Sequence, residues 1–149
     1  MSYIPPLDLI CTYLGVDPAV LKDPKDETVT VKVELVHLFL RLVASGVQFD
    51  PEWYTRAHPD IGDAFSAGII ADLKEHFVST GFFEGRLGAP EAIDEEWYLN
   101  QFPDVGKALR SGQVESVAEH YITVGKREWR APRAEAVEEL LRWRSALLK

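Results

Sequence analysis

The stretch FDPEWYTRAHPD at 49–60 returns, little changed, as IDEEWYLNQFPD at 93–104. Trp53 and Trp97 lie 44 positions apart, and that offset runs without a gap from 49–86 onto 93–130. Identical pairs at this offset include Asp50 and Asp94, Tyr54 and Tyr98, Pro59 and Pro103, and Asp60 and Asp104. Further along come Glu75-His76 with Glu119-His120, Gly81 with Gly125, and Glu84 and Arg86 with Glu128 and Arg130. A period between about 20 and 50 residues marks stacked structural units, each too small to bury a core alone.

Each unit reads as three short helices and an ordered tail. Asp50 and Asp94 are N-caps, followed by Pro51 or Glu95 in the first turn. The Trp-Tyr helix stops at Pro59 or Pro103, because proline blocks the helical conformation of the residue before it. Asp60 and Asp104 are expected to cap the second helix, which runs to Gly68 or Gly112. Asp72 with Glu75, and Ser116 with Glu119, have capping-box spacing at the start of the third, which ends at Gly81 or Gly125.

The flanks also read as helical. The segment at 7–15 is apolar and stops at Gly15, a short turn follows Pro18, and 22–28 is a polar loop. Between 30 and 44, Val33, Val36, Leu40 and Val43 recur at spacings of three and four, which predicts a central buried helix. The alternation in VTVKVEL leaves a strand open as the other reading. At 133–149, Val137, Leu140, Leu141, Arg144 and Leu148 share one side of a helix, with glutamates covering much of the other. That helix either docks on its own repeats or binds a second subunit, through Leu140, Leu141, Trp143 and Leu148. The expected organisation is therefore all-α: a helical cap at 1–48, repeats at 49–90 and 91–132, and a C-terminal amphipathic helix at 133–149.

Composition narrows the function. With 46% hydrophobic residues among 149, the chain can bury a core. A net charge of −8 argues against nucleic acid as main partner, since phosphate backbones need clustered Lys and Arg. The one basic cluster, Lys126, Arg127, Arg130 and Arg133, is broken by Glu128 and reads as a solvated face, with a phosphate or acidic-glycan site as the alternative. The single cysteine, Cys11, allows no internal disulfide and no cysteine-based zinc site, and it packs rather than reacts. The N-terminus has no secretory pattern, and the apolar run at 35–47 is interrupted by His37 and Arg41 and is shorter than the roughly 20 residues of a membrane span. The expectation is a soluble, cytoplasmic protein without membrane insertion, unless a particle or a non-classical route exports it.

No catalytic residue, metal site or cofactor is expected. The glycines have no phosphate-loop pattern, and no serine has nucleophile-elbow context. Adjacent helical residues point about 100 degrees apart, so Glu75 and His76 are poorly placed to share a metal. His76 and His120 read instead as structural imidazoles bonded to the region of Asp60 or Asp104, or to a carbonyl. Paired carboxylates such as Asp50 and Glu52 sit at helix starts, where negative charge is stabilising without a catalytic role. The ligand-binding candidates are Trp53, Tyr54, Trp97, Tyr98, Arg86 and Arg130. The aromatic pairs are either repeat core or exposed stacking platforms for sugar rings, with Tyr54 and Tyr98 the better platforms. Glu84 with Arg86, and Glu128 with Arg130, read as ion pairs. Phe82, Phe83 and Trp129 form a contact patch if exposed.

The stretch at 96–132, EWYLNQFPDVGKALRSGQVESVAEHYITVGKREWRAP, resembles a short repeat seen in many bacterial proteins. That repeat has the general form W/Y-Y-L, N/Y-P-D-V, a small helix, H-Y-L, G, and E-G-R with a following proline. It resembles segments attached to glycosyltransferases, rhamnan-synthesis-like proteins, sulfotransferase-like proteins and large surface proteins. Here Trp129 replaces the usual glycine in the second copy, and the first has His58 before Pro59 and a longer end, EGRLGAP. The resemblance implies an accessory or binding module in a surface-polysaccharide setting, and carries over no catalytic residue. The function expected is a non-catalytic adaptor that binds another protein, in a surface-polysaccharide or phage-like particle setting, with a homo-oligomer possible. The alternative is a module that binds capsule or exopolysaccharide.

Overall fold

A computed structural model describes residues 5–22 and 28–148. The described residues are helical, with no strand among them. The chain divides into two compact units, Met1–Ala89 and Pro90–Lys149. The polar loop expected at 22–28 falls almost wholly outside the described residues.

The first unit begins with α1 (Leu7–Leu14), α2 (Pro18–Lys22) and α3 (Val33–Gly46). Gly15 ends α1 in the left-handed conformation at φ 68°, which glycine adopts without a Cβ clash. Cys11 is buried, as its apolar helix face suggests. Thr30, Val31 and Lys32 precede α3 without forming a strand.

α3 is not the buried central helix that its composition predicts. Among its residues only Ala44 is buried. The packing face is rotated from the expected stripe: Ala44 joins the core, Arg41 pairs with Glu75 at 2.6 Å, and His37 stacks on Phe83 at 4.4 Å. Val36, Phe39 and Val43, at helical spacing, are left exposed.

Three helices follow: α4 (Pro51–Ala57), α5 (Pro59–Ser66) and α6 (Leu73–His76), the last continuing as a π-helical turn at Phe77–Gly81. The Asp50 carboxylate accepts from the Trp53 amide at 2.9 Å, and the Asp72 carboxylate from the Glu75 amide at 2.9 Å, so the first and third helices are capped as expected. α5 is not. Its N-cap is His58, whose side chain makes no capping bond, and Pro59 occupies the first turn. Asp60 lies inside that turn and spends its carboxylate elsewhere. Tyr54, Ile61, Leu73, Phe77 and Val78 form the core with Ala44. The tail closes on the start: the Asp50 amide donates to the Gly88 carbonyl at 2.9 Å.

The second unit runs through the same elements: α7 (Glu95–Gln101), α8 (Pro103–Arg110), α9 (Val117–His120) and a π-helical turn at Tyr121–Gly125. Asp94 caps α7 and Ser116 caps α9, whereas Phe102 and Pro103 open α8 and Asp104 again makes no capping bond. The capping box is incomplete in both copies. Glu119 accepts from the Glu115 amide rather than from Ser116, and Glu75 is taken by Arg41. The core is Tyr98, Val105, Val117 and Tyr121. The Asp94 amide closes on the Pro132 carbonyl at 3.1 Å. A 3-10 turn (Ala134–Ala136) leads into α10 (Val137–Leu147), none of whose residues is buried. No helix among the described residues is long and apolar enough to cross a membrane.

Candidate functional site

Tyr54 and Tyr98 are both 0% exposed. They are not stacking platforms, which corrects the reading that placed them on the surface. On a short helix one residue of an adjacent pair must face inward, and here the tyrosine does while Trp53 and Trp97 are half-buried. The reason the tyrosine is chosen lies in its hydroxyl. Tyr54 Oη lies 3.1 Å from His76 Nδ1, and Tyr98 Oη lies 3.2 Å from His120 Nδ1. Burial raises both phenols above their ordinary pKa, and the bond to the imidazole nitrogen satisfies each buried hydroxyl. A buried phenol without such a partner would be costly. His76 and His120 thus bond the tyrosines, not the Asp60 and Asp104 region expected for them.

That region belongs to arginine. Arg86 holds Asp60 with two parallel bonds of 3.0 and 2.8 Å and holds Glu84 at 2.8 Å. Arg130 repeats this, 3.1 and 2.8 Å to Asp104 and 2.8 Å to Glu128, and its guanidinium lies 4.8 Å from the Phe102 ring centroid. The planar fork of arginine is what allows a bidentate grip on one carboxylate and a third bond to another. The sequence reading found the short-range pairs with Glu84 and Glu128. It missed the longer ones to Asp60 and Asp104, although both aspartates recur at the same offset as the arginines. Arg86 and Arg130 are committed to these bonds and are not open ligand-binding groups.

Because the arginine bond holds the Asp60 and Asp104 carboxyls below the ordinary 3.8, these groups bind fewer protons when folded than when unfolded. Their stabilising contribution is complete above the unfolded pKa and is lost as pH falls through the lowered folded values. Urea unfolding measured from pH 7 down to pH 2 should show an acid loss beginning near pH 4 that is smaller in an Asp60→Asn/Asp104→Asn variant. An identical acid profile in that variant would contradict this coupling.

Each unit also carries a concavity among the described residues. One in the first unit is lined by Pro51, Glu52, Thr55, Gly62, Phe65, Ser66 and Leu73. The other, in the second unit, is an open depression of 320 Å³ between the tail of the repeat and α10, with Glu91, Trp129, Arg133, Leu140 and Trp143 in its wall. Of the partner-binding candidates on α10, Leu140 is half-buried and faces this cleft with Trp143, while Leu141 and Leu148 are exposed. Phe83 is exposed, but Phe82 packs against the core of the first unit. No group of three or more His, Cys, Asp and Glu side chains among the described residues is placed to hold a metal.

No family model, no curated protein and no solved structure matches the chain.

Proposed function

We propose that this protein is a non-catalytic adaptor that binds another protein through apolar helix surface. The observation that supports this is the exposed stripe of Val36, Phe39 and Val43 on α3, whose polar residues Glu34, His37, Arg41 and Ser45 lie on a different side of the helix. An apolar helix face left open to water, while the polar face packs inward, calls for a covering partner. Leu141, Trp143 and Leu147 on α10 extend the argument to the second unit. The surface-polysaccharide setting is that of the repeat it resembles. The alternative reading, a saccharide module using the paired Trp-Tyr positions, is weakened by the burial of both tyrosines.

The test is a photo-crosslinking residue at position 39 or 141, expressed in the source cells. One reproducible protein partner is expected, lost in a Phe39→Asp/Val43→Asp variant. Both side chains are exposed, so that variant should keep its stability within about 0.5 kcal/mol per site. Absence of a protein adduct, with saturable binding of surface polysaccharide from the same source instead, would overturn the adaptor reading.

A further inference from the structure

The two repeats build the same pair of helices but fill the space between them differently. In the first, α4 and α5 flank an open groove of about 410 Å³, with Thr55, Gly62, Phe65, Ser66 and buried Leu73 in its wall. At the offset of 44 these positions become Leu99, Gly106, Leu109, Arg110 and Val117. Leu99 and Leu109 pack against the core of the second unit. A Cβ built on Gly106 would lie 3.5 Å from Arg110 Nη1 and 3.9 Å from Leu99 Cδ2. An aliphatic side chain and a guanidinium thus lie together over that glycine. At Gly62 the three atoms nearest such a Cβ all belong to Thr55, the closest being its backbone oxygen at 3.1 Å, and none to Ser66.

The two shorter side chains leave apolar surface uncovered in the first repeat. Phe65 is 43% exposed, where Leu109 is half-buried. Thr55 adds little polarity, because its hydroxyl is bonded within α4 to the Pro51 and Glu52 carbonyls at 3.2 and 3.1 Å. The charged side chain in the wall is Glu52, which is exposed and has its counterpart in Glu96. Both copies therefore keep the glutamate and the glycine, and only the second brings its own leucine and arginine to them.

We infer that this groove docks a helix of a partner protein that sets a leucine over Gly62 and an arginine beside it, toward Glu52. The second repeat identifies the pair, since the same two helices there receive it from Leu99 and Arg110. Side chains three or four positions apart on a helix are neighbours, so one partner helix supplies both groups. Laying the apolar face of an amphipathic helix into a hydrophobic groove is a common mode of recognition. The glutamate in the wall and the net charge of −8 favour a basic partner.

This inference rests on the adaptor reading and specifies the chemistry of the partner, at a surface separate from the α3 stripe. Its test closes the groove with the second repeat's own residues, in Thr55→Leu/Ser66→Arg. That variant should melt as the parent does, because the second repeat carries both side chains at the matching positions. Ser66→Arg alone, at an exposed position, serves if the double variant does not fold. A phage-displayed library of helical peptides, randomised on one face, is selected against the full chain, with excess closed variant in solution to remove binders of other surfaces. Peptides with leucine and, three or four positions away, arginine are expected. They should bind the closed variant about tenfold more weakly than the parent. Glu52→Gln should weaken them as well and flatten the salt dependence of binding. Failure to recover any peptide that distinguishes parent from closed variant would overturn the inference, as would recovered peptides that lack a basic residue. Sedimentation showing that the parent self-associates and the closed variant does not would give the groove to a second copy and overturn it too. The crosslink at position 39 reports separately on the adaptor reading, so either result can fail without the other.

Discussion

Replacing Tyr98 with alanine is expected to unfold the second unit at room temperature or bring it close to doing so. The ring is fully buried and packs against Tyr121 at 5.8 Å and Phe102 at 4.8 Å between centroids. Removing a large buried aromatic typically costs 3–5 kcal/mol in lost transfer energy and residual cavity. The second unit's core cluster is four buried side chains, this ring among them. A unit of that size has little stability to lose. Tyr54→Ala should act the same way on the first unit. Tyr98→Phe separates the hydroxyl from the ring: it keeps the packing and leaves His120 Nδ1 without its hydrogen-bond partner. Because His120 is buried, about 1–3 kcal/mol is expected. Tyr54→Phe should cost less, since His76 is only half-buried and has water available. Urea unfolding, followed separately by signals from each unit, would check the order. A Tyr98→Ala protein that unfolds at the parent's midpoint would refute the assignment of this ring to the core. The same burial means that truncating either tyrosine cannot serve as a probe of ligand binding.

What was legible in the sequence was local. Asp50, Asp94, Asp72 and Ser116 cap helices three residues from the amides they bind, a distance fixed by helix geometry. Pro59 and Pro103 punctuate by their own covalent structure, and Gly68 and Gly112 take φ of 71° and 70°. What was not legible depended on direction. Trp53 and Tyr54 are neighbours on a seven-residue helix, and nothing in a Trp-Tyr dipeptide says which ring faces in. The choice was made by His76, 22 positions away. α3 shows the same limit. Its periodicity selects the apolar stripe as the packing face, yet Arg41 and His37 on the polar side are what meet the rest of the unit, through Glu75 and Phe83. Asp60 and Asp104 were read as caps because aspartate after a helix break so often is one. A proline already held the first turn, and an arginine 26 positions on claimed the carboxylate. The π-helical turns have no sequence code of their own. The Trp129 cleft was visible only as a departure, a tryptophan where the repeat writes glycine.

Gly81→Ala and Gly125→Ala should both destabilise, against the ordinary rule for glycine within helical segments. Exchanging a helical glycine for alanine usually stabilises by about 1 kcal/mol, because glycine loses more backbone entropy on folding. Neither residue has positive φ, so the backbone itself would accept alanine. The obstacle is the tyrosine. A Cβ placed on Gly81 falls closer than 3.0 Å to Tyr54 Oη, and one on Gly125 falls as close to Tyr98 Oη, with Tyr121 Cδ2 a further 3.1 Å neighbour. Both hydroxyls are fixed by their histidines and both rings are fully buried, so neither can swing aside. Overpacking of this kind costs about 1–3 kcal/mol, which more than offsets the entropic gain. Gly46→Ala is the control: a glycine ending α3 with no atom within 4 Å of its added Cβ, where alanine should be neutral or slightly stabilising. A double-mutant cycle isolates the cause. In Gly125→Ala/Tyr98→Phe the offending oxygen is gone while the ring remains, so the pair should be less destabilised than the sum of its singles. Additive losses would mean that the glycine is needed for the π-helical backbone itself. A shortfall would mean that the glycine is there to admit the phenol, making Tyr98, His120 and Gly125 one packing unit that each repeat builds in the same way.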